Sequence, residues 1–436
     1  MAETTSSEQR HGPMRLWSVS ALGIGSMVGA GIFALLGQAA LMAGSDVYLS
    51  FVIGGVIALL SGHSYARLAA RFPSSGGIMD YFDRAYPSRV VAGGLSILYL
   101  ATSVIAVAMI AKTFGAYADR LLFGDESSLL AKNLSASAIV IALVVTNMVG
   151  SNAVGRLEEL LVAAKLVILA VLMAAGIPGI EPALLTTGPT VGISTLLASV
   201  GLTFFAYAGY GVMTNATGYV ADPQTTIPRA IYLAIGLVII LYVGLAIVVL
   251  GNISPAELAR FADTAVAQAA RPVLGHAGFV IVAGGALFAT ASAINACIFS
   301  ALEVSRGLAA KRQLPAAFGR TAWGQGTRGL VWAAGAILIM VNLFDLGAIA
   351  QIAGATFLVT YLAVFLAHWR LHAEVGGRRS LILLGAVLMI LAFGAFMVSL
   401  WQTRPVVIAL ALAAIAGSFA VEWLVQRRQT APSIAT

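Results

Sequence analysis

The chain has 436 residues, of which 60% are hydrophobic and 10% are charged, and its formal net charge is +7. Soluble domains of this length carry far more charge, so the composition indicates a protein of the lipid bilayer. The basic excess then reflects membrane topology, and no nucleic-acid partner is expected. The single cysteine, Cys297, and the scattered histidines have no metal-site spacing, so neither a metal nor a cofactor is predicted.

Apolar stretches long enough to span the hydrocarbon core recur about twelve times. The polar segment 1–15 before the first span lacks a cleavage-site pattern, which predicts a cytosolic tail rather than a signal peptide. Of the 25 lysines and arginines, eighteen lie in connections on the side of this tail and five on the opposite side. This bias predicts that both termini are cytosolic.

The first span contains the sequence GIGSMVGAGIF, from Gly23 to Phe33. Each glycine in a helix costs roughly 1 kcal/mol relative to alanine, so the backbone itself must be needed there. Gly25 and Gly29 form a G-x-x-x-G pattern, which is typical of close packing between membrane helices. The alternative is that the helix is interrupted to expose backbone groups at a binding site.

The sixth span contains a second interrupted stretch, TFFAYAGYGVMTNATG, from Thr203 to Gly218. Interruptions in the first and sixth spans are what an inverted repeat of five plus five helices would show. Half-helix ends inside the bilayer offer N–H groups to a carboxylate and carbonyl groups to an ammonium ion. The pattern therefore favours a zwitterionic ligand near the membrane midplane.

Several motifs occur together and in order: SMVGAGIF in the first span, YARLAARFPSSGG after the second, FFAYAGYG and VADPQTTIPRAI around the sixth, and NACIFS and KRQLP around the eighth. Together they resemble the amino acid-polyamine-organocation superfamily of permeases, over residues 15–370. The resemblance implies an all-α membrane fold of 12 transmembrane helices with discontinuous helices 1 and 6. Its parts would be the first repeat (16–180), the inverted second repeat (188–370), helices 11 and 12 (380–426) and a cytosolic tail (427–436).

The resemblance also implies a substrate site at the two interruptions. Backbone N–H groups of Gly29, Ala30 and Gly31 would bind the substrate carboxylate, and helix 1 would start to unwind at Ile24 and Gly25. Phe205 would close over the substrate from outside, although packing is the commoner fate of an aromatic residue in a span. The substrate-binding residues implied in this way are Ile24, Gly25, Val28, Gly29, Ala30, Gly31, Phe205, Ala206, Ala208 and Gly209.

Lys165 is the most informative charge, because a lysine within a span is a functional candidate by default. It lies nine residues beyond Arg156, which is about 13 Å along a helix. The resemblance implies that its ammonium replaces a sodium ion and contacts carbonyls of helix 1 and a hydroxyl of helix 8, from Ser292 or Thr290. Lys165 and Ser292 are therefore the predicted proton-coupling residues, although Ala289 and Ala293 occupy the positions where serine is expected.

Other charged and titratable residues have less specific interpretations. Lys112 lies near Asp119 and Arg120 at the outer end of its span, which favours snorkelling to the surface. His63 is interpreted as a packed histidine rather than a proton relay. Arg67 and Glu303 reverse the charges usual in the superfamily, which predicts either an ion pair at an inner gate or two separately solvated charges.

The predicted function is transport of amino acids by alternating access. Relatives often carry acidic residues in the sixth span where this chain has Gly211 and Gly218, so neutral L-amino acids are favoured over cationic amino acids and polyamines. Lys165 favours proton coupling without sodium, and an amino acid exchanger remains an alternative. A channel or receptor would not explain two interrupted spans, and no hydrolase, metalloprotease or nucleotide-binding motif indicates an enzyme. The expected location is the bacterial inner membrane, with helices 11 and 12 available for a homodimer.

Overall fold

A computed structural model of the chain describes residues 14–73, 76–124, 126, 128–149, 155–186, 191–324 and 326–430. For residues 30, 155–159 and 430 it describes only the backbone. Within these residues, ten helical stretches are long and apolar enough to cross a membrane, and two shorter apolar helices cover Leu16–Gly29 and Arg328–Leu343. The chain is therefore an all-helical, multi-pass membrane protein, as predicted. Most of both predicted tails and the side chain of Arg156 lie outside the described residues.

The α-helices are numbered in chain order. They are α1 (Leu16–Ala30), α2 (Ile32–Ala43), α3 (Val47–Arg71), α4 (Ile78–Ala85), α5 (Arg89–Phe123), α6 (Leu129–Val149), α7 (Gly155–Gly176), α8 (Pro182–Thr186), α9 (Ile193–Tyr207), α10 (Pro223–Asn252), α11 (Pro255–Phe261), α12 (Ala265–Gln268), α13 (Arg271–Ala310), α14 (Arg328–Leu343), α15 (Leu346–Arg370), α16 (His372–Val375), α17 (Arg379–Thr403) and α18 (Pro405–Thr430).

Shorter elements connect these helices. Single 3-10 turns occur at Gly44–Asp46, Ile177–Gly179, Ala262–Thr264 and Ala316–Phe318, and a much longer 3-10 helix covers Ala208–Tyr219. Between α13 and α14, strands β1 (Thr321–Trp323) and β2 (Gly326–Thr327) form a small antiparallel hairpin. The ends of α13 and α14 at this hairpin belong to the side predicted to be cytosolic, which is called the inner side below.

Helix α1 lies at the centre of the molecule, surrounded by α7, α10, α13 and the 3-10 helix Ala208–Tyr219. Its glycines face different neighbours. A methyl group on Gly25 would lie 2.6 Å from Cγ2 of Val162 in α7, and one on Gly29 would lie 2.9 Å from the carbonyl oxygen of Ala289 in α13. Non-bonded atoms normally stay 3.5–4.0 Å apart, so no side chain fits at these positions. The glycines therefore allow several helices to approach the α1 backbone at once.

Gly209, in the 3-10 helix Ala208–Tyr219, makes the same kind of close approach to α1. A methyl group on Gly209 would lie 2.6 Å from the backbone nitrogen of Met27 and 2.7 Å from the carbonyl carbon of Ser26, both in α1. Because these obstacles are backbone atoms, they cannot move aside by a rotamer change. The start of the 3-10 helix is thereby held directly against α1.

Replacing Gly209 by alanine should destabilise the protein by about 1–3 kcal/mol, the usual cost of overpacking a buried contact. Thermal unfolding of the purified protein in detergent measures the change. Gly218→Ala is the matched control in the same 3-10 helix, since a methyl group there meets no atom within 4 Å. Equal effects of the two substitutions would contradict the close-approach interpretation.

Candidate substrate and coupling site

The first span is interrupted at Gly31, between α1 and α2, where φ is −84° and ψ is −74°. Helix α1 continues through Ile24 and Gly25, so the prediction that it unwinds there was wrong. Close packing against α7 requires only that Gly25 lack a side chain and does not require a broken backbone. The Gly31 N–H donates to the Met27 carbonyl at 2.8 Å, so in this conformation it is not presented to a ligand.

The sixth span is interrupted where the sequence predicted it, by a change of helix type. The α-helix α9 ends at Tyr207 and continues as the 3-10 helix Ala208–Tyr219, which has 12 residues. Runs of 3-10 helix rarely exceed three or four residues, because their hydrogen-bond geometry is poorer than that of an α-helix. Such a long run marks this segment as a structurally weak part of the span.

Two tyrosine hydroxyls satisfy carbonyl groups at the two interruptions. The hydroxyl of Tyr242, in α10, lies 2.7 Å from the carbonyl oxygen of Met27 and 3.2 Å from that of Ala206, so its proton is shared between both interrupted spans. The Tyr361 hydroxyl, in α15, donates to the Ala208 carbonyl. Sequence reasoning missed both residues, since a tyrosine in an apolar span looks like a packing residue until its hydroxyl has a partner.

The two interruptions lie next to each other in the structure. A methyl group on Gly31 would lie 2.5 Å from the Ala206 carbonyl oxygen, which places the two breaks in direct contact. Ile24, Val28 and Ala208 are buried in the same region. The side chain of Ala30 lies outside the described part of the structure.

Phe205 is packed in this conformation. Its side chain is buried, and its ring centroid lies 4.5 Å from that of Phe357 in α15, with an interplanar angle of 37°. This arrangement corresponds to the packing interpretation of the residue. The ring nevertheless lies immediately before the change of helix type, so a movement of the 3-10 segment would also move the ring.

Lys165 is buried, with 3% of its surface exposed, and its ammonium donates to the Gly25 carbonyl at 2.8 Å. The predicted contact between Lys165 and a carbonyl of the first span is therefore present. A methyl group on Gly29 would lie 3.3 Å from the same ammonium nitrogen, so the lysine covers one full turn of α1. A charge-assisted hydrogen bond thus connects α7 to the centre of α1.

The two hydroxyls considered as partners for Lys165 differ. Thr290 donates to the Ala286 carbonyl of its own helix at 2.7 Å, so its proton is used within α13. Ser292 is half-buried on the same helix. Among the described residues, no group of three or more histidine, cysteine, aspartate or glutamate side chains could hold a metal ion.

Comparison with known proteins agrees with this architecture. Residues 14–421 match the model of the amino acid permease family. The chain belongs to the amino acid permease family. The inner membrane transport protein YbaT of Escherichia coli K12 is 41% identical over 418 residues, which are 96% of this chain and 97% of YbaT. Protein MJ0609 of Methanocaldococcus jannaschii is 34% identical over 401 residues, or 91% of each chain, and the serine/threonine exchanger SteT of Bacillus subtilis is 24% identical over 300 residues, or 67% of each.

The predicted resemblance is therefore confirmed, and the permease is a transporter and not an enzyme. Family membership also confirms that its substrate is a small molecule. It places the interrupted spans in a protein that moves solutes through a bilayer, so the backbone groups around Gly31 and Ala208 are candidates for contact with the solute.

The predicted ion pair between Arg67 and Glu303 is not formed in the permease. Glu303 pairs instead with Arg306 of its own helix at 2.8 Å, and Arg67 is exposed near His63 and Tyr232. The reason is the helix arrangement: α3 packs against α10 and α9, whereas α13 packs against α5 and α7. The sequence positions alone could not show that these two helices have different neighbours.

An interhelical ion cluster on the inner side lies elsewhere. The Lys311 ammonium, just after α13, lies 2.6 Å from Oδ1 of Asp80 and 2.7 Å from Oδ2 of Asp83, both in α4. Gln313 donates to Asp83 at 3.1 Å. Burial lowers the pKa of Lys311, but the hydrogen bonds and charges of the two carboxylates outweigh it and hold that pKa above its usual value. The cluster ties the end of α13 to α4.

The prediction that Lys112 snorkels to the outer surface was wrong. Lys112 is buried, with 6% of its surface exposed, and its ammonium donates to the Val341 carbonyl at 2.8 Å and to the Asn133 side chain. These partners lie in α14 and α6, so the lysine connects three helices. His63 is packed as predicted, with Nδ1 2.7 Å from the Tyr232 hydroxyl.

Replacing Lys311 by methionine should lower the free energy of unfolding at pH 7 by about 1 kcal/mol, since these partly exposed pairs are screened by solvent. Because the folded-state pKa of Lys311 is raised, its contribution is complete below the unfolded-state value of 10.5 and is lost as the pH rises through the folded-state value. The difference between wild type and variant, measured by unfolding in detergent, should therefore shrink only in strong alkali.

The control for this substitution is Glu303→Gln, which removes an ion pair within one helix. Such exposed pairs contribute only about 0.3 kcal/mol, so the control should unfold almost like the wild type. A loss as large as that of Lys311→Met would mean that the connection between helices has no special importance.

Proposed function

We propose that the permease is a secondary active transporter for neutral L-amino acids that works by alternating access, coupled to protons and independent of sodium. If α1 and α2 form one crossing and α14 another, the chain crosses the membrane twelve times. Residues 16–180 and 188–370 would then be the inverted repeats, and residues 380–426 would form the last two helices. Both termini would be cytosolic, in a bacterial inner membrane, as the distribution of basic residues and the name of the E. coli relative suggest.

The observation that carries this proposal is the hydrogen bond from Lys165 to the Gly25 carbonyl at 2.8 Å. The protonated lysine holds α1 against α7 through a charge-assisted bond, and its charge disfavours a sodium ion at the same place. Loss of the proton removes the charge and weakens the connection, which frees α1 to move. Ser292 would accept a second hydrogen bond from the ammonium.

The substrate would bind at the two interruptions through backbone groups. Opening of α1 at its end would release the N–H groups of Gly29, Ala30 and Gly31 for the carboxylate, and carbonyls beside Ala206 and Ala208 would receive the ammonium. Phe205 would act as the outer gate by moving with the 3-10 segment.

The surroundings of the 3-10 helix favour neutral substrates. Its sequence AGYGVMTNATGY contains no acidic residue. A methyl group on Gly211 would lie 3.2 Å from the Tyr361 hydroxyl and 3.4 Å from the Tyr65 ring, so aromatic groups occupy the space around it. A second cationic group on a substrate would be buried there without a counter-charge, which is costly. Cationic amino acids and polyamines are therefore the weaker alternative.

An amino acid exchanger is the second candidate. The serine/threonine exchanger SteT is 24% identical to this chain over 67% of its length. Exchange would use the same backbone site but would require an amino acid on both sides of the membrane.

Uptake into proteoliposomes tests the proposal. A panel of labelled amino acids would be supplied with an inward proton gradient, an inward sodium gradient or internal unlabelled amino acid, each alone. We expect neutral amino acids to accumulate with the proton gradient only. Lys165→Met should reduce this accumulation at least ten-fold, because the coupling charge is lost. Uptake that depends on internal amino acid would instead identify an exchanger, and sodium-driven uptake would refute the role of Lys165.

The control for this variant is Lys112→Met. It also removes a buried ammonium that donates to a backbone carbonyl, but that carbonyl belongs to α14 and not to α1. It should retain proton-driven accumulation once the amount of folded protein is matched. Equal losses in the two variants would mean that both lysines act through stability alone.

A further inference from the structure

An apolar groove runs along the outside of the helix bundle between α5, α13, α14 and α18, with a volume of about 480 Å³. Its walls are almost entirely hydrocarbon side chains. Trp332 lies at its edge with 68% of its surface exposed, so the groove faces the surroundings of the protein and not the transport site. Along α14 its lining extends from Gly329 to Met340, and Phe344 just after the helix continues it, so the groove is about 22 Å long.

Three arginines lie at the inner end of this groove. Arg312 and Arg320 each lie two residues from a lining residue, and Arg328 is next to one. The β1–β2 hairpin brings two of them together, since the Arg328 N–H donates to the Arg320 carbonyl at 2.9 Å. All three side chains are exposed, and none pairs with a carboxylate of the described residues. The neighbouring Lys311, by contrast, is neutralised by two aspartates.

One polar side chain lines the groove just below these arginines. Ser305 is buried, with only 3% of its surface exposed. Its hydroxyl has no hydrogen-bond partner in the described part of the chain. It lies five residues before the end of α13, or about 7–8 Å deeper in the membrane than that end. A buried hydroxyl without a partner is costly, so this position favours a ligand that brings an acceptor.

We propose that the groove binds an anionic phospholipid of the inner leaflet. Its phosphate lies at Arg312, Arg320 and Arg328, an ester carbonyl of its glycerol accepts from Ser305, and an acyl chain fills the apolar groove. The order of these groups matches the order of a phospholipid from the surface inward. The hydrocarbon core is about 30 Å thick, so one leaflet contributes about 15 Å of it. The groove is longer than this and can therefore hold a whole acyl chain of one leaflet.

The arginines also argue against a second copy of the chain as the occupant of the groove. In a two-fold dimer whose axis is normal to the membrane, both copies would bring the same surface to the interface. Their arginine groups would then approach one another at the inner surface, and like charges in contact are unfavourable. Anionic lipid has the complementary charge.

Native mass spectrometry of the detergent-purified permease tests the proposal, with phosphatidylglycerol and phosphatidylcholine of identical acyl chains as probes. The wild type should prefer phosphatidylglycerol roughly 100-fold, since each of the three arginines contributes about five-fold. Each arginine replaced by glutamine should lower this preference about five-fold, so the triple variant Arg312→Gln, Arg320→Gln, Arg328→Gln should bind the two lipids nearly equally. The matched triple Arg229→Gln, Arg378→Gln, Arg379→Gln, at exposed positions of the same side, should keep the wild-type preference.

Two further variants test the groove and the hydroxyl. Ala333→Trp fills the groove and should abolish tight binding of both lipids, whereas Gly335→Trp, in open space on the same helix, should not. Ser305→Ala should weaken binding of ester-linked phosphatidylglycerol and leave the ether-linked analogue unchanged. Thermal unfolding verifies that each variant is folded.

The proposal is overturned if the arginine variants keep the lipid preference, if the filled groove binds lipid as before, or if an Ala336→Cys variant forms a disulfide-linked dimer. None of these outcomes depends on transport activity, so the result is independent of the proposed function.

Discussion

A backbone carbonyl released inside a bilayer must find a donor within the protein, because no water is present to supply one. This constraint governs the centre of the permease. Around the two breaks, Tyr242 from α10 donates to the carbonyls of Met27 and Ala206, and Tyr361 from α15 donates to that of Ala208. Lys165 from α7 adds a hydrogen bond to the Gly25 carbonyl within the intact part of α1. The interrupted spans are thus held by donors from three different helices, so any movement of α1 relative to its surroundings must exchange or break at least one of these bonds.

Glycines allow the close contacts between α1 and its neighbours. A helix with so many glycines has low intrinsic propensity, and tertiary packing must compensate for it. Here α7, α13 and the 3-10 helix approach the α1 backbone closely enough that a methyl group at Gly25, Gly29 or Gly209 would meet atoms within 3 Å. The neighbouring atoms are the Val162 side chain at Gly25, the Ala289 carbonyl at Gly29 and the α1 backbone at Gly209, so α1 cannot shift far without displacing its neighbours. The G-x-x-x-G interpretation and the binding-site interpretation are therefore compatible in this permease.

The charges of the permease divide according to their surroundings. Inside the bundle, the ammonium groups of Lys112 and Lys165 each donate to a backbone carbonyl at 2.8 Å. The partner of Lys112 is in α14, whereas the partner of Lys165 is in α1, within the interrupted first span. On the inner side, Lys311 is neutralised by two aspartates of α4, whereas the exposed arginines of the following connection have no carboxylate partner among the described residues. Position relative to the bilayer, rather than residue type, decides whether each charge is structural or available to a partner.

Composition, periodicity and glycine content along the chain determined the membrane class and which two spans are interrupted, and the isolated charge of Lys165 in an apolar span marked it as a candidate, because each of these depends on residues that are contiguous in sequence. The partners were decided by tertiary structure. Arg67 and Glu303 lie on helices with different neighbours, Lys112 turns inward to Val341, and Tyr242 and Tyr361 reach carbonyls of other spans. Which side chains meet depends on helix neighbours and on the rotation of each helix about its axis, and uniformly apolar spans record neither in their local pattern.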